Sequence, residues 1–420
     1  MDTVCFNRAV EEQFGIRVTK LYALDTRGTE DIVKVAALEN HTAEWNPPEG
    51  ARWVKREALD DFPIISPILS QVLAAWFAKE AEEASLMPWS KTGWFDEAAA
   101  WILAQLRRLG MTVRSPVEQV KSFYTGGTLR VNTDAGYVYL KALPQVFVRE
   151  LETIQMLAKW IPEHVPVILA SDPERRWMLL QGIGGVDLTE ISDLEVWEDV
   201  LRVYAQLQVT SLSFVDELLN GPLYDYRIQS MASAIDSVLM DAPSLLQGYQ
   251  EPLSDVELKQ LLALSPQLEA LCVEVESYGI PCALEHGDLH AGNIRITANG
   301  PVFYDWAWSY VTHPFLGPIG FLYKAGKSLP VISNARERLR DVYLEAWTDY
   351  ESIDRLRELF DLIDRWRILH AVLIDAEWVS VYQKKLSGPP IQCSFTEWAL
   401  RRRQYYLAKV LRRLPGSVLL

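Results

Sequence analysis

The most informative segment is residues 284–306, which read LEHGDLHAGNIRITANGPVFYDW. It carries three oxygen-bearing side chains, Asp288, Asn293 and Asp305. Carboxylate and amide oxygens are the ligands that Mg²⁺ prefers, and a carboxylate kept off the metal can accept a proton from a hydroxyl group. The segment therefore predicts a site for a phosphate group and its metal ions. The alternative is a surface hairpin in which Asp288 and Asn293 are ordinary turn residues.

The spacing inside this segment predicts a loop followed by a β-hairpin. Polar and apolar residues alternate from Asn293 to Thr297, as in a half-buried strand. A three-residue loop at 298–300, with its final glycine in the left-handed conformation, would pair Thr297 with Pro301. That register places Asn293 opposite Asp305, with both oxygens on one face of the hairpin.

The run from His286 to Asp288, with Asn293 five residues further on, resembles the catalytic loop of the aminoglycoside phosphotransferase and choline kinase family. Tyr304-Asp305-Trp306 resembles the metal-binding motif of the same family. The resemblance implies an α+β, two-lobed, protein-kinase-like fold, with a small antiparallel-sheet N-lobe and a mostly helical C-lobe. It implies that Asp288 deprotonates an acceptor hydroxyl, that His286 braces the catalytic loop, and that Asn293 and Asp305 hold Mg²⁺.

A lysine and a glutamate upstream extend the set of residues that the resemblance implies. Lys141 ends a predicted strand at 137–142, and Glu150 follows nine residues later in a predicted helix. A lysine over nucleotide phosphates needs a fixed counter-charge, and we expect Glu150 to supply it, with Glu152 as the alternative.

Two further stretches are expected to contact the nucleotide. Gly126 lies where the family places the loop that covers the phosphates, although the local sequence is neither a P-loop nor a protein-kinase glycine loop. Gln181 and Ile183 lie in a glycine-rich connector at 181–185. This connector is the predicted hinge between the lobes, and we expect these two residues to lie next to the adenine ring.

The composition is that of a globular protein with an acidic surface. The net charge is −15 and the pI about 5.0, which argues against a general nucleic-acid binder. The four cysteines are scattered without metal-ligand spacing and predict reduced thiols. No basic and apolar leader follows Met1, and no apolar run approaches the length of a membrane span, so we expect a cytoplasmic enzyme without membrane contact.

The chain divides by pattern into an accessory domain at 1–88, the N-lobe at 89–183 and the helical C-lobe at 184–420. The first segment resembles a degenerate remnant of a Nudix hydrolase, because Glu11 and Glu12 precede Gly15 in a helix but with altered spacing. Amphipathic helices are predicted at 67–85, at 94–110 with Trp101, Leu103 and Leu106 inward, and at 395–414.

The resemblance therefore predicts a phosphotransferase that uses ATP or GTP with Mg²⁺ and phosphorylates a hydroxyl group of a small molecule. Antibiotic, choline, homoserine and sugar kinases share these motifs, so the acceptor and the oligomeric state stay open. Two alternatives also stay open: a nucleotide-binding pseudokinase or regulatory module, and a Nudix-type hydrolase with an accessory domain.

Overall fold

The structure is a computed structural model that describes residues 3–25, 34–49, 54–55, 73, 86–123, 125–245, 254–325 and 334–385. Within these residues, 3–145 and 168–182 form one compact unit, and 146–167 and 183–385 form another. The predicted helix at 395–414, nearly all of the one at 67–85, and Cys393 lie outside the described residues. The predicted domain boundaries after residues 88 and 183 stay a prediction.

The first unit is built on an antiparallel sheet of five strands in the order β3-β4-β5-β7-β6. Its helices and strands are α1 (Thr3–Phe14), β1 (Val18–Asp25), β2 (Lys34–Asn40), α2 (Trp94–Arg108), β3 (Glu118–Phe123), β4 (Gly126–Thr133), β5 (Gly136–Ala142), β6 (Ile168–Asp172) and β7 (Trp177–Gln181). Helix α2 covers one face of this sheet and shares a hydrophobic core with it.

The buried row of α2 follows the helical period. Trp94, Ala98, Ile102 and Leu106 are each spaced by four residues and are all buried. The prediction of Leu106 as inward is confirmed, but that of Leu103 is wrong, because Leu103 lies off this row and is 39% exposed. The predicted stop at Gly110 is confirmed, since its φ is +71° and the next amide bonds back to Leu106 O.

The hairpin β1–β2 lies beside the edge strand β3, and the side chains of Gln119 and Ser122 bond to the backbone of β1. Gln119 Oε1 accepts from Lys20 N at 2.7 Å, and Gln119 Nε2 donates to Lys20 O at 2.8 Å. The glutamine amide thus reproduces the pairing that a neighbouring backbone would offer. Arg8 adds an ion pair with Glu118 at 2.7 Å. The N-terminal hairpin therefore covers an edge of the sheet that would otherwise be exposed.

The second unit is mostly helical and includes two small three-stranded sheets, ordered β10-β13-β9 and β12-β11-β8. Its elements are α3 (Arg149–Trp160), β8 (Val186–Asp187), α4 (Leu194–Ser211), α5 (Val215–Asn220), β9 (Tyr224–Asp225), α6 (Ile228–Ala232), α7 (Ile235–Leu245), α8 (Asp255–Leu262), α9 (Ser265–Glu276), β10 (Ala283–Glu285), β11 (Ile294–Thr297), β12 (Gly300–Phe303), β13 (Tyr310–Thr312), α10 (Leu316–Ala325), α11 (Ala335–Glu345) and α12 (Ile353–Lys385). Of the helices that the structure describes, none has the length and apolar composition needed to cross a bilayer.

Candidate active site

The hairpin that carries the site is formed by β11 and β12, but its register differs from the prediction by one residue. Thr297 pairs with Gly300 and Ile294 with Phe303, so the predicted pairing of Thr297 with Pro301 is wrong. The Thr297 hydroxyl explains the tighter turn, because it accepts from Asn299 N at 3.1 Å and donates to Gly300 O at 2.9 Å. Gly300 does have the expected positive φ, at +108°.

As a result, Asn293 lies opposite Tyr304, and Asp305 follows one residue beyond the ladder. Tyr304 N donates to Asn293 O at 3.0 Å. Asp305 then turns the chain with φ 67° and ψ 56°, a left-handed conformation that aspartate tolerates better than most residues. The predicted direct pairing of Asn293 with Asp305 is therefore wrong. Their segments are nevertheless held together by the adjacent backbone pair.

His286 connects the loop that contains Asp288 to the segment that contains Asp305. Its Nδ1 accepts from Asp288 N at 3.3 Å, so Nε2 carries the proton and donates to Tyr304 O at 3.0 Å. The ring is fully buried, which lowers its pKa to about 4 and keeps it neutral. A buried neutral ring with both nitrogens bonded to backbone fits the predicted bracing role, which stays a prediction.

Gly287 allows the chain to turn between His286 and Asp288. Its φ is +79°, and a Cβ at this position would overlap the carbonyl of Trp308. Only glycine satisfies both conditions, because any larger residue would be strained and would also push Trp308 away. The middle residue of the motif is thus required by close backbone packing.

Two side chains that the sequence did not single out contact the carboxylate of Asp288. Lys324 Nζ is 3.0 Å from Oδ1, and His290 Nε2 is 3.5 Å from Oδ2. Burial raises the pKa of Asp288, but the hydrogen bond from His290 and the Lys324 ammonium outweigh it and hold the pKa well below its usual range. Asp288 is therefore ionised at neutral pH.

Asn293 has an amide orientation that suits a metal ligand. Its Nδ2 donates to Asp288 O at 3.0 Å, which leaves Oδ1 as the end available for a cation. Together with the Asp305 carboxylate it offers two hard oxygen donors. Mg²⁺ is commonly held by few protein oxygens, with phosphates and water completing the shell. Among the described residues, no cluster of three or more His, Cys, Asp or Glu forms a closed metal site. The donor set thus fits Mg²⁺ bound together with a nucleotide.

A buried polar network contacts the predicted catalytic loop at residues 286–293. This network was not predicted from the sequence. The Glu285 carboxylate accepts from Tyr204 Oη at 2.9 Å, from Gln208 Nε2 at 3.2 Å and from Gly317 N at 3.1 Å. Tyr204 Oη in turn accepts from His286 N at 3.1 Å. The start of this loop is therefore anchored to helix α4 through the Tyr204 hydroxyl and the Glu285 carboxylate. Burial raises the pKa of Glu285 to about 7, although its hydrogen-bond donors lower it.

We expect this carboxylate to make the stability of the protein depend on pH. The pKa of Glu285 is 4.5 when unperturbed and about 7 when folded, so the folded state binds its proton more tightly. The stabilisation is complete below about pH 4.5 and is lost as pH rises through about 7, with a maximum near 3 kcal/mol.

Urea unfolding of wild type and Glu285→Gln at pH 5, 6, 7 and 8 measures this effect. The difference between wild type and variant in the free energy of unfolding should fall from pH 5 to pH 7 and change little above pH 8. Other titrating groups cancel in the difference. Parallel curves for the two proteins across this range would contradict the assignment.

The remaining predicted residues lie in the two compact units as follows. Lys141 lies on β5 of the first unit, where it pairs with Thr128 and Met178, and Gln181 ends β7. Glu150 lies in the first turn of α3 in the second unit and is 1% exposed, whereas Glu152 is exposed. The pairing of Lys141 with Glu150 stays a prediction. The division between the units falls between Gly182 and Ile183, inside the predicted hinge.

Gly126 begins β4, and the adjacent glycine packs on a tryptophan. Gly126 has φ +155°, and a Cβ there would lie 3.1 Å from Ala142 O. A Cβ on Gly127 would lie 2.8 Å from the side chain of Trp89, whose Nε1 donates to Phe123 O at 2.7 Å. Internal packing thus accounts for Gly127, while a role of Gly126 at the nucleotide phosphates stays a prediction.

The chain resembles known proteins over most of its length. It is similar to solved structures of a choline kinase from Cryptosporidium parvum (15% identity, 72% of this chain and 91% of that chain, TM-score 0.48) and a macrolide 2'-phosphotransferase type I (13% identity, 75% and 96%, TM-score 0.46). A third is a thermostable mutant of an aminoglycoside phosphotransferase in a ternary complex with ADP and hygromycin B (12% identity, 76% and 99%, TM-score 0.45). A search of curated proteins found no match.

A family model gives the assignment. The model of the phosphotransferase enzyme family matches residues 124–359, more than half of the 420 residues. The matched region contains Lys141, Glu150 and the whole catalytic segment. The predicted family, the kinase-like α+β fold and the prediction of a kinase-type enzyme are confirmed. The chain belongs to the phosphotransferase enzyme family.

Proposed function

We propose that the protein transfers the γ-phosphoryl group of ATP to a hydroxyl group of a small molecule, with Mg²⁺ as the metal ion. The observation that carries this proposal is the position of His286. Its two ring nitrogens join the backbone of Asp288 to the backbone of Tyr304, next to Asp305. An acceptor-binding carboxylate and a metal-binding carboxylate are thereby held by one rigid ring, as phosphoryl transfer requires.

In the proposed reaction, Asp288 orients the acceptor hydroxyl and takes its proton. The hydroxyl oxygen forms a bond to the γ-phosphorus while the bond from that phosphorus to the β–γ bridging oxygen breaks, and ADP leaves with the electron pair. The low pKa of Asp288 makes it a weak base. Phosphoryl transfer through a loose transition state needs little help from a base, so orientation of the hydroxyl is its main contribution.

The other residues have roles in binding. Asn293 and Asp305 would hold Mg²⁺, which neutralises charge on the phosphates when it is bound. Lys141 would contact the α- and β-phosphates with Glu150 as its counter-charge, and Gly126 would contribute backbone to the phosphate site. The nucleotide base would lie next to Gln181 and Ile183.

The test is a transfer assay on the full chain with ATP or GTP, with and without Mg²⁺, and a panel of hydroxylated small molecules. Thermal shifts identify the nucleotide and the acceptors that bind, and mass spectrometry detects the phosphorylated product. We expect ADP to form in step with a phosphorylated acceptor and only with Mg²⁺. Nucleotide binding without transfer to any acceptor would favour a pseudokinase.

The Nudix alternative is tested by a different pair of variants. Hydrolysis of a nucleoside diphosphate compound that is lost in a Glu11→Gln, Glu12→Gln double variant but retained in Asp288→Ala would favour it. Both glutamates are exposed on α1, so their replacement should not disturb the fold.

A further inference from the structure

Lys324 lies at the carboxylate that we propose to receive the acceptor's proton. Its Nζ is 3.0 Å from Asp288 Oδ1, and it lies in α10, 36 residues further along the chain. The side chain of Lys324 is 54% exposed and that of Asp288 39% exposed. The pair is therefore open to solvent, and an acceptor hydroxyl that reaches Asp288 comes to rest beside an ammonium group.

A purely structural role does not account for this lysine. A cation in the last turn of a helix is favoured by the helix dipole, but here Nζ bonds to a carboxylate on the catalytic loop. Asp288 already has three other contacts: His286 binds its backbone N, Asn293 binds its backbone O, and His290 lies at its second carboxylate oxygen. Lys324 thus adds positive charge at a place whose geometry is already determined.

The neighbouring surface is also cationic. Tyr323, which is 46% exposed, has the guanidinium of Arg336 4.5 Å and that of Arg367 4.8 Å from its ring centroid. Besides Asp288 on Lys324, the carboxylate in this group is Asp364, which accepts from Tyr323 Oη at 2.8 Å and pairs with Arg367 at 3.2 Å. Three cations, Lys324, Arg336 and Arg367, and two carboxylates, Asp288 and Asp364, therefore lie around this end of α10. These five groups together carry a charge of +1, whereas the net charge of the whole chain is −15.

We infer that Lys324 is a specificity-determining residue that favours acceptors with an anionic group, a carboxylate or a phosphate, close to the hydroxyl that is phosphorylated. This inference rests on the proposed function. A carboxylate has about four lone-pair positions, so Asp288 can keep Lys324 and still accept from a hydroxyl. Substituents next to that hydroxyl lie about 4–6 Å from Nζ, where opposite charges attract and like charges repel. A polycationic acceptor is disfavoured for the same reason.

Four probes with one three-carbon skeleton test the inference: glycerate, glycerol 3-phosphate, glycerol and 3-amino-1,2-propanediol. Titration calorimetry measures the Kd of each probe for the full chain saturated with Mg²⁺ and a non-hydrolysable ATP analogue. We expect wild type to bind at least one anionic probe about fivefold more tightly than glycerol and to bind the amine most weakly. The first two probes distinguish a carboxylate from a phosphate.

Variants at position 324 separate charge from structure. Lys324→Met should bind the four probes without this preference, Lys324→Arg should keep the preference, and Lys324→Glu should reverse it. Lys259→Met, an exposed lysine on α8, is the matched control and should behave as wild type. Absence of the preference in wild type, or its survival in Lys324→Met, overturns the inference. The proposed function has a separate test. It fails if the Asp288→Ala variant transfers phosphate at the wild-type rate, whatever the result with the position 324 variants.

Discussion

Replacing Asp288 with alanine should lower the rate of phosphoryl transfer by about 10²–10⁴-fold while leaving the affinity for the Mg²⁺–ATP complex nearly unchanged. In the proposed mechanism this carboxylate orients and deprotonates the acceptor hydroxyl, whereas Asn293 and Asp305 are the proposed metal ligands. The change is measured as kcat for transfer, together with the Kd for Mg²⁺–ATP.

Two controls keep this result interpretable. Asp361→Ala removes an exposed aspartate from α12 and should retain wild-type activity. The free energy of unfolding of Asp288→Ala should change by less than about 1 kcal/mol, because the lost ion pair with Lys324 is half exposed. Turnover at the wild-type rate in a folded Asp288→Ala protein would remove the proposed role of this residue.

Replacing Asp305 with asparagine should weaken the Mg²⁺-dependent part of ATP binding by about 10–100-fold or more. Loss of a residue that only hydrogen-bonds to a metal ligand has an effect of this size, and loss of a direct ligand should cost at least as much. Asparagine is the informative substitution because the backbone at this position is left-handed, with φ 67°. Alanine would add about 1–2 kcal/mol of strain there, whereas asparagine accepts the conformation and removes only the charge.

The measurement is the Kd of ATP titrated at several Mg²⁺ concentrations. The curves of wild type and Asp305→Asn should converge when Mg²⁺ is absent and diverge as it is added. Asn299→Ala, in the turn of the same hairpin, is a control that leaves both carboxylates in place. An Asp305→Asn protein with the Mg²⁺ dependence of wild type would place the metal ligands elsewhere.

Local spacing was sufficient to predict a candidate catalytic segment, because the residues proposed for its chemistry lie in a short stretch of chain. Asp288 and Asn293 are five residues apart, and the hairpin that follows brings the backbone of Tyr304 back to Asn293. The predicted register was wrong by one residue because the loop contains two residues, 298 and 299, and not three. The Thr297 hydroxyl closes this shorter loop by bonding to Asn299 N and Gly300 O. A shift of one residue would move every side chain of a strand to the other face, but β12 reads Gly-Pro-Val-Phe and has no alternation of polar and apolar residues that would reveal it.

Helix α2 also shows which features the sequence pattern can predict and which it cannot. Its existence and its end at Gly110 follow from amphipathic spacing and from the need of a left-handed residue after the last turn. The choice between Ile102 and Leu103 as the core residue does not, because both are apolar and adjacent. The sheet decides between them, since the row from Trp94 to Leu106 faces the core.

By itself, the sequence determined the family, the α+β fold class and the segment that holds Asp288, Asn293 and Asp305, because each of these depends on residue types at short separations. The tertiary structure alone decided what surrounds Asp288. Lys324 comes from 36 residues away, and Glu285 is bound by Tyr204 and Gln208 from 81 and 77 residues away. Such contacts leave no pattern in a single chain, because they depend on how helices pack and not on the spacing of residues within them.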